Sequence, residues 1–167
     1  MTMRFDVEHT IRIPFDAYFD IVLSDAFNDW VKKKLKQDAR EVVRHEERDG
    51  VVSRIVRSER TLSEKARKYL KVPTLIIEER QEIRLAEHRY SWEYVPNVGQ
   101  SRFSAKGTGR IEPAGDYLKR SIEGEVTFKL PLVGKRIERR MVDGIRRNIT
   151  RVGDALEDYY RNHYAAG

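Results

Sequence analysis

Apolar side chains recur at Ile137, Met141, Ile145, Ile149, Val152, Leu156 and Tyr160, in steps of three or four that stack on one face of a helix. The spacing predicts one helix from about Leu132 to Tyr160, just after the break at Pro131 and Gly134. With a rise of about 1.5 Å per residue it extends roughly 40 Å. An apolar face of that length must lie on something equally large, and the rest of the sequence has to supply it.

The preceding segments read as strands. Phe5, Val7, His9, Ile11 and Ile13 alternate with Arg4, Asp6, Glu8, Thr10 and Arg12, the period of a strand with one wet face. Pro14 ends that strand and opens a short helix with Tyr18, Ile21 and Val22 on its apolar side. Ser24 and Asp25 recap the chain into a second short helix carrying Phe27, Trp30, Val31 and Leu35. Strands at 40–48 and 51–61 meet at Asp49-Gly50, a pair suited to the positive φ angles of a tight hairpin. Ser63 caps a helical turn or two before Pro73, and further strands follow at about 74–85, 88–95, 102–112 and 117–130. Their turns fall at Ala86-Glu87, "PNVGQ" and "EPAGD". Short links force antiparallel pairing. The expected fold is therefore α+β: an antiparallel, curved sheet of six or seven strands gripping a long C-terminal helix, with two short helices after strand one.

The 167 residues suit a single domain, residues 1–167. With 40% hydrophobic and 36% charged residues the chain is globular in composition. It has no cysteine, which excludes disulfides, thiolate metal sites and a cysteine nucleophile. Arg4, Asp6 and Glu8 interrupt the stretch a secretory signal would need, and no segment is long and apolar enough to span a bilayer, so the expected location is cytoplasmic. Part of the net charge of +6 gathers in 133–151, where seven Lys and Arg stand against Glu138 and Asp143. A solvated outer face is the expected reading of Arg139, Arg140, Arg146 and Arg147, with weak contact to an anionic membrane and no specific nucleic-acid site.

The order strand, two helices, six strands, long helix resembles the START-like superfamily, also called SRPBCC or helix-grip. "FDVEHTIRIPFDAYFDIVLSDAF" is similar to that family's opening strand and "P-x-x-x-x-F" helix, and "GEVTFKLPLVGKRIERRM" to the closing strand entering the terminal helix of an uncharacterised bacterial branch. The resemblance implies a cavity between sheet and helix, used across the superfamily for lipids, sterols, polyketides and hormones, and in some branches for cyclisation.

The residues permit such a cavity. Phe103, Ala105, Gly107, Gly109 and Ile111 share one strand face, as do Leu118, Ile122, Gly124, Val126 and Phe128 on the next, and their small members leave room or allow the sheet to bend. Tyr90, Trp92 and Tyr94 alternate on one strand and form pocket wall or core. His9 is the one polar side chain read as inward on the first strand. Arg54 and Arg60 share a face with Val52, Val56 and Ser58; they are expected to face solvent, the alternative being that one of them meets a ligand carboxylate. Glu78 and Glu82 read as a solvated pair. Histidines at 9, 45, 88 and 163 lack metal-site spacing, and no nucleophile elbow or phosphate loop occurs, so neither metal nor cofactor is expected.

The expected function is binding of a hydrophobic or amphipathic small molecule, lipid- or polyketide-like, without catalysis. His9, Tyr90, Trp92, Phe103, Gly107, Phe128, Met141 and Ile145 are the candidate lining residues. Two alternatives remain: a cyclase or aromatase using His9 or a tyrosine as acid or base, and a peripheral binder of membrane or nucleic acid through Lys32–Lys36 and Arg136–Arg151.

Overall fold

In the computed structural model, residues 2–98, 103–129 and 135–164 are described, except for the side chains of Tyr69, Lys135 and Ile137. Strand β1 (Thr2–Ile11) is followed by one 3-10 turn at Phe15–Ala17 and the short helices α1 (Tyr18–Val22) and α2 (Asp25–Lys34). Next come β2 (Ala39–Arg48), β3 (Val51–Thr61), α3 (Glu64–Leu70), β4 (Thr74–Arg84), β5 (Arg89–Pro96), β6 (Phe103–Ala114), β7 (Tyr117–Phe128) and α4 (Lys135–His163). The strands form one antiparallel sheet in the order β1-β7-β6-β5-β4-β3-β2. This is the expected helix-grip architecture. The 132–134 start expected for the long helix, and part of the expected "PNVGQ" turn, lie outside the described residues.

Local chemistry explains the joints. Asp49 and Gly50 both take positive φ, 52° and 76°, as the two-residue hairpin requires. Ser24 accepts a hydrogen bond from the Phe27 backbone N–H at 3.2 Å and Ser63 one from Ala66 at 3.2 Å, so both serines satisfy an otherwise orphaned helix donor. Lys71 closes α3 in the left-handed region.

Two apolar cores hold α4 to the sheet. Toward its C-terminal end, Ala155, Leu156 and Tyr159 pack with Ile11, Tyr18 and Leu118, and with Phe27 and Val31 of α2. Nearer its N-terminal end, Val142 and Ile149 pack with Phe5, Trp92, Val126 and Phe128. Along the same helix Met141, Ile145 and Val152 are only half-buried, because they border the cavity described next.

Candidate functional site

A cavity of about 960 Å³ lies between α4 and the inner face of the sheet. Strands β3, β4 and β5 supply one wall, α4 the other, and residues of α1 and α2 line the space between. Tyr90, Trp92, Phe103, Met141 and Ile145, all read from the sequence, are in its lining. His9, Gly107 and Phe128 are not: Phe128 is packed in the core beside Val126, and His9 is bound to another side chain.

The small residues work differently from the sequence reading. Gly107 and Gly124 are paired across β6 and β7, with Trp92 opposite Gly107 and Phe5 opposite Gly124. A Cβ on Gly124 would lie 2.6 Å from Trp92 Cζ2 and 2.7 Å from Phe5 Cζ, and one on Gly107 would strike the Glu123 carbonyl oxygen. Gly109 is covered in the same way by the Tyr90 ring. The glycines do leave room, but aromatic rings from adjacent strands occupy it. The open volume lies farther along the sheet, toward β4 and β3.

That part of the wall is polar, and here the expectation of a solvent-facing Arg54 is overturned. Arg54 is 4% exposed and lines the cavity. Its Nη1 donates to the Val22 carbonyl at 3.0 Å, while its Nε has no partner. Arg40 Nε donates to Asn28 Oδ1 at 2.8 Å, and Arg60 Nη2 to the Leu35 carbonyl at 2.7 Å. Glu79 accepts from Gln81 Nε2 at 3.0 Å and makes no ion pair with these arginines among the described residues. Burial pushes the Arg54 guanidinium below the usual arginine range, with repulsion from Arg40 adding to the effect and Glu79 opposing it. Burial holds the hydroxyls of Tyr90 and Tyr94 well above the usual tyrosine range, so both are donors at neutral pH.

A second buried guanidinium closes the inner end. Arg120, 4% exposed, donates from Nε to His9 Nε2 at 3.1 Å, from Nη1 to the Tyr18 hydroxyl at 3.2 Å and from Nη2 to the Ile149 carbonyl of α4 at 2.7 Å. His9 therefore accepts at Nε2 and is neutral. Burial, and then the charge of Arg120, lower its pKa from 6.5 to about 4. Gly153 lets the helix come close at this point, since a Cβ there would lie 3.1 Å from His9 Nε2. His9 is thus a structural acceptor that seats Arg120 between sheet and helix.

Arg120, Arg54, Arg40, Glu79 and Gln81 were absent from the sequence-derived lining set. The signal was parity. Arg120 falls in step with Leu118, Ile122 and Val126, and Glu79 and Gln81 with Ile77 and Ile83, so each occupies an inward position of an otherwise apolar strand face. Glu78 and Glu82, in the opposite step, pair on the outer face with Arg80 and Arg84, as their solvated reading implied.

A curved antiparallel sheet closed over a cavity by one long helix defines the helix-grip class of fold. Within that class the chain belongs to the DUF2505 family, described as "Protein of unknown function", whose model matches residues 6–159. Solved structures with the same fold include TTHA0849 from Thermus thermophilus, at 16% identity and a TM-score of 0.69, covering 97% of this chain and 99% of that one. Ara h 8.0201 aligns at 14% identity and a TM-score of 0.70, covering 98% and 100%. The Zhui aromatase/cyclase from Streptomyces sp. R1128 aligns at 13% identity and 0.68, covering 100% and 99%. Comparison with the curated proteins gives no match. At such identities the likeness is one of fold.

Proposed function

We propose that this protein binds a hydrophobic or amphipathic small molecule in the cavity between the sheet and α4. The observation that carries the reading is the cavity itself: about 960 Å³, walled by Trp92, Phe103, Ile122, Met141 and Ile145 with a few converging polar groups, the usual makeup of a small-molecule site. Affinity comes from removing ligand surface from water, about 25 cal/mol per Å² of apolar area. Tyr94, kept protonated, orients the guest by donating a hydrogen bond, whereas the Tyr90 hydroxyl is already engaged with Tyr18. Those same hydroxyls are poor proton acceptors, and His9 is already engaged by Arg120, so binding without catalysis is the better reading.

The test is to titrate an apolar fluorescent probe, and to obstruct the cavity from the helix side. A Cβ on Gly144 has only Arg147 Nη2 within 4 Å, at 3.9 Å, and Gly144 lines the cavity, so Gly144→Phe introduces a ring there without a backbone clash. Wild type is expected to bind the probe and the folded variant to lose most of that binding. A wild type that binds no apolar probe or ligand, or a folded Gly144→Phe that binds equally well, would overturn the proposal.

A further inference from the structure

One row of the inner wall has polar atoms that the protein itself leaves unmet. Arg54 on β3, Gln81 on β4 and Trp92 on β5 are opposite one another in the ladder, and all three line the cavity. Arg54 Nε, Gln81 Oε1 and Trp92 Nε1 are each buried without a hydrogen-bond partner. Buried polar groups are nearly always paired, so the two donors of this row, Arg54 Nε and Trp92 Nε1, mark a place where an acceptor is missing. Charge adds a sign to that demand. Arg40, Arg54 and Arg60 face the cavity against the single carboxylate of Glu79, and none of the four is in an ion pair among the described residues.

The geometry of Arg54 narrows the chemistry. Its Nη1 is held by the Val22 carbonyl, which fixes the plane of the guanidinium and leaves the Nε and Nη2 donors along one edge. Two parallel N–H groups on such an edge match the two oxygens of a carboxylate. The other cations of the lining differ: Arg40 is engaged through Nε and Nη1 by Asn28 and Gln37, and Arg60 has the Nη2 of that edge taken by the Leu35 carbonyl. Arg120 spends its donors on His9, Tyr18 and Ile149, and Lys71, Arg147 and Arg151 are exposed.

Building on the cavity-binding proposal, we infer that the guest is an amphiphile with a carboxylate head, seated on the free edge of Arg54, with its apolar body running toward Trp92, Met141 and Ile145. Glu79 stands nearby as the charge that keeps Arg40 and Arg54 tolerable while the cavity is empty.

The experiment compares dodecanoic acid with dodecan-1-ol, which share an apolar chain and differ in head group, by calorimetric titration at neutral pH. Wild type is expected to bind the acid about ten- to a hundredfold more tightly than the alcohol, the range of a charge-assisted hydrogen-bonded head. Arg54→Met is expected to abolish that preference while alcohol binding persists. If wild type binds both equally, or the alcohol better, the carboxylate inference is overturned and the cavity proposal stands. If neither binds and apolar probes fail as well, the cavity proposal falls with it. The wild-type comparison needs no variant, so it decides the matter even if Arg54→Met does not fold; a folded Arg54→Met that retains the preference overturns the role of Arg54.

Discussion

On the outer face of the sheet, arginine and glutamate stand two residues apart on single strands and close on each other: Arg80 on Glu78 at 3.1 Å, Arg110 on Glu112 at 2.9 Å, Arg57 on Glu59 at 3.7 Å. On the inner face of the same sheet, Arg54, Arg120 and Glu79 alternate with valine and isoleucine and form no ion pair among the described residues. Water makes the outer pairs almost optional, since an exposed ion pair is worth about 0–1 kcal/mol. The inner charges have lost that solvent, so each depends on the neutral groups that replaced it. Arg120 has three such acceptors and behaves as a structural pin, whereas Arg54 has one and retains binding capacity. The number of satisfied donors therefore separates a buried arginine that holds the fold from one free to hold something else.

The sharpest way to break this contrast is Arg120→Ala. It leaves His9, the Tyr18 hydroxyl and the Ile149 carbonyl without their donor and opens a void beneath α4, with an expected loss of about 3–5 kcal/mol in denaturant unfolding. A loss under about 1 kcal/mol would mean that Arg120 is no pin. Next in size is an effect of pH. His9 is neutral when folded, with a pKa near 4 against 6.5 in the unfolded chain, so the unfolded chain takes up the proton first. Stability from this group is complete above pH 6.5 and declines as pH falls toward 4. His9→Gln can still accept from Arg120 and does not titrate. Its unfolding free energy is expected to fall less than that of wild type over that window, by about 1–3 kcal/mol, and identical pH profiles would contradict the assignment.

The glycines of α4 give a smaller test. Gly144 faces open space, so Gly144→Ala is expected to stabilise by about 0.5–1 kcal/mol through helix propensity alone. Gly153→Ala presses on His9 Nε2 and should forfeit that gain. Thermal melts of the two variants ranked the other way would contradict the close approach of helix to pin. Smallest of all is Arg80→Ala on the outer face, expected to change stability by less than about 0.5 kcal/mol. A larger loss would show that the outer ladder is structural.

Much of the sheet was legible because its strands follow a period of two and its turns carry their own chemistry, as Asp49-Gly50 does. The face of β3 was not. Val52, Arg54, Val56, Ser58 and Arg60 alternate with Val51, Ser53, Ile55, Arg57 and Glu59, so both faces mix apolar and charged side chains, and only the neighbouring strands decide which is buried. The glycine stripe failed for a related reason: a sequence shows that Gly107 and Gly124 are small, but not that Trp92 and Phe5 lean across them from adjacent strands. Tyr90, Trp92, Phe103, Met141 and Ile145 could be read because their own strand or helix period placed them inward. The charged row beside them required the assembled sheet.

The position of β1 also bears on how the molecule forms. It pairs with β7 at a sequence separation of 125 at Thr2 and Thr127, and Arg120 reaches His9 at a separation of 111. The β2 to β7 meander can assemble hairpin by hairpin as the ribosome delivers it, but β1, made first, has no partner until β7 exists. Closure of that ladder is a contact of high sequence separation, and such contacts are slow to form. Until then the unpaired edges of β1 and β7, with the apolar side chains of Phe5, Ile11, Leu118 and Val126, remain exposed together, and a nascent chain is most open to aggregation or chaperone capture in that interval.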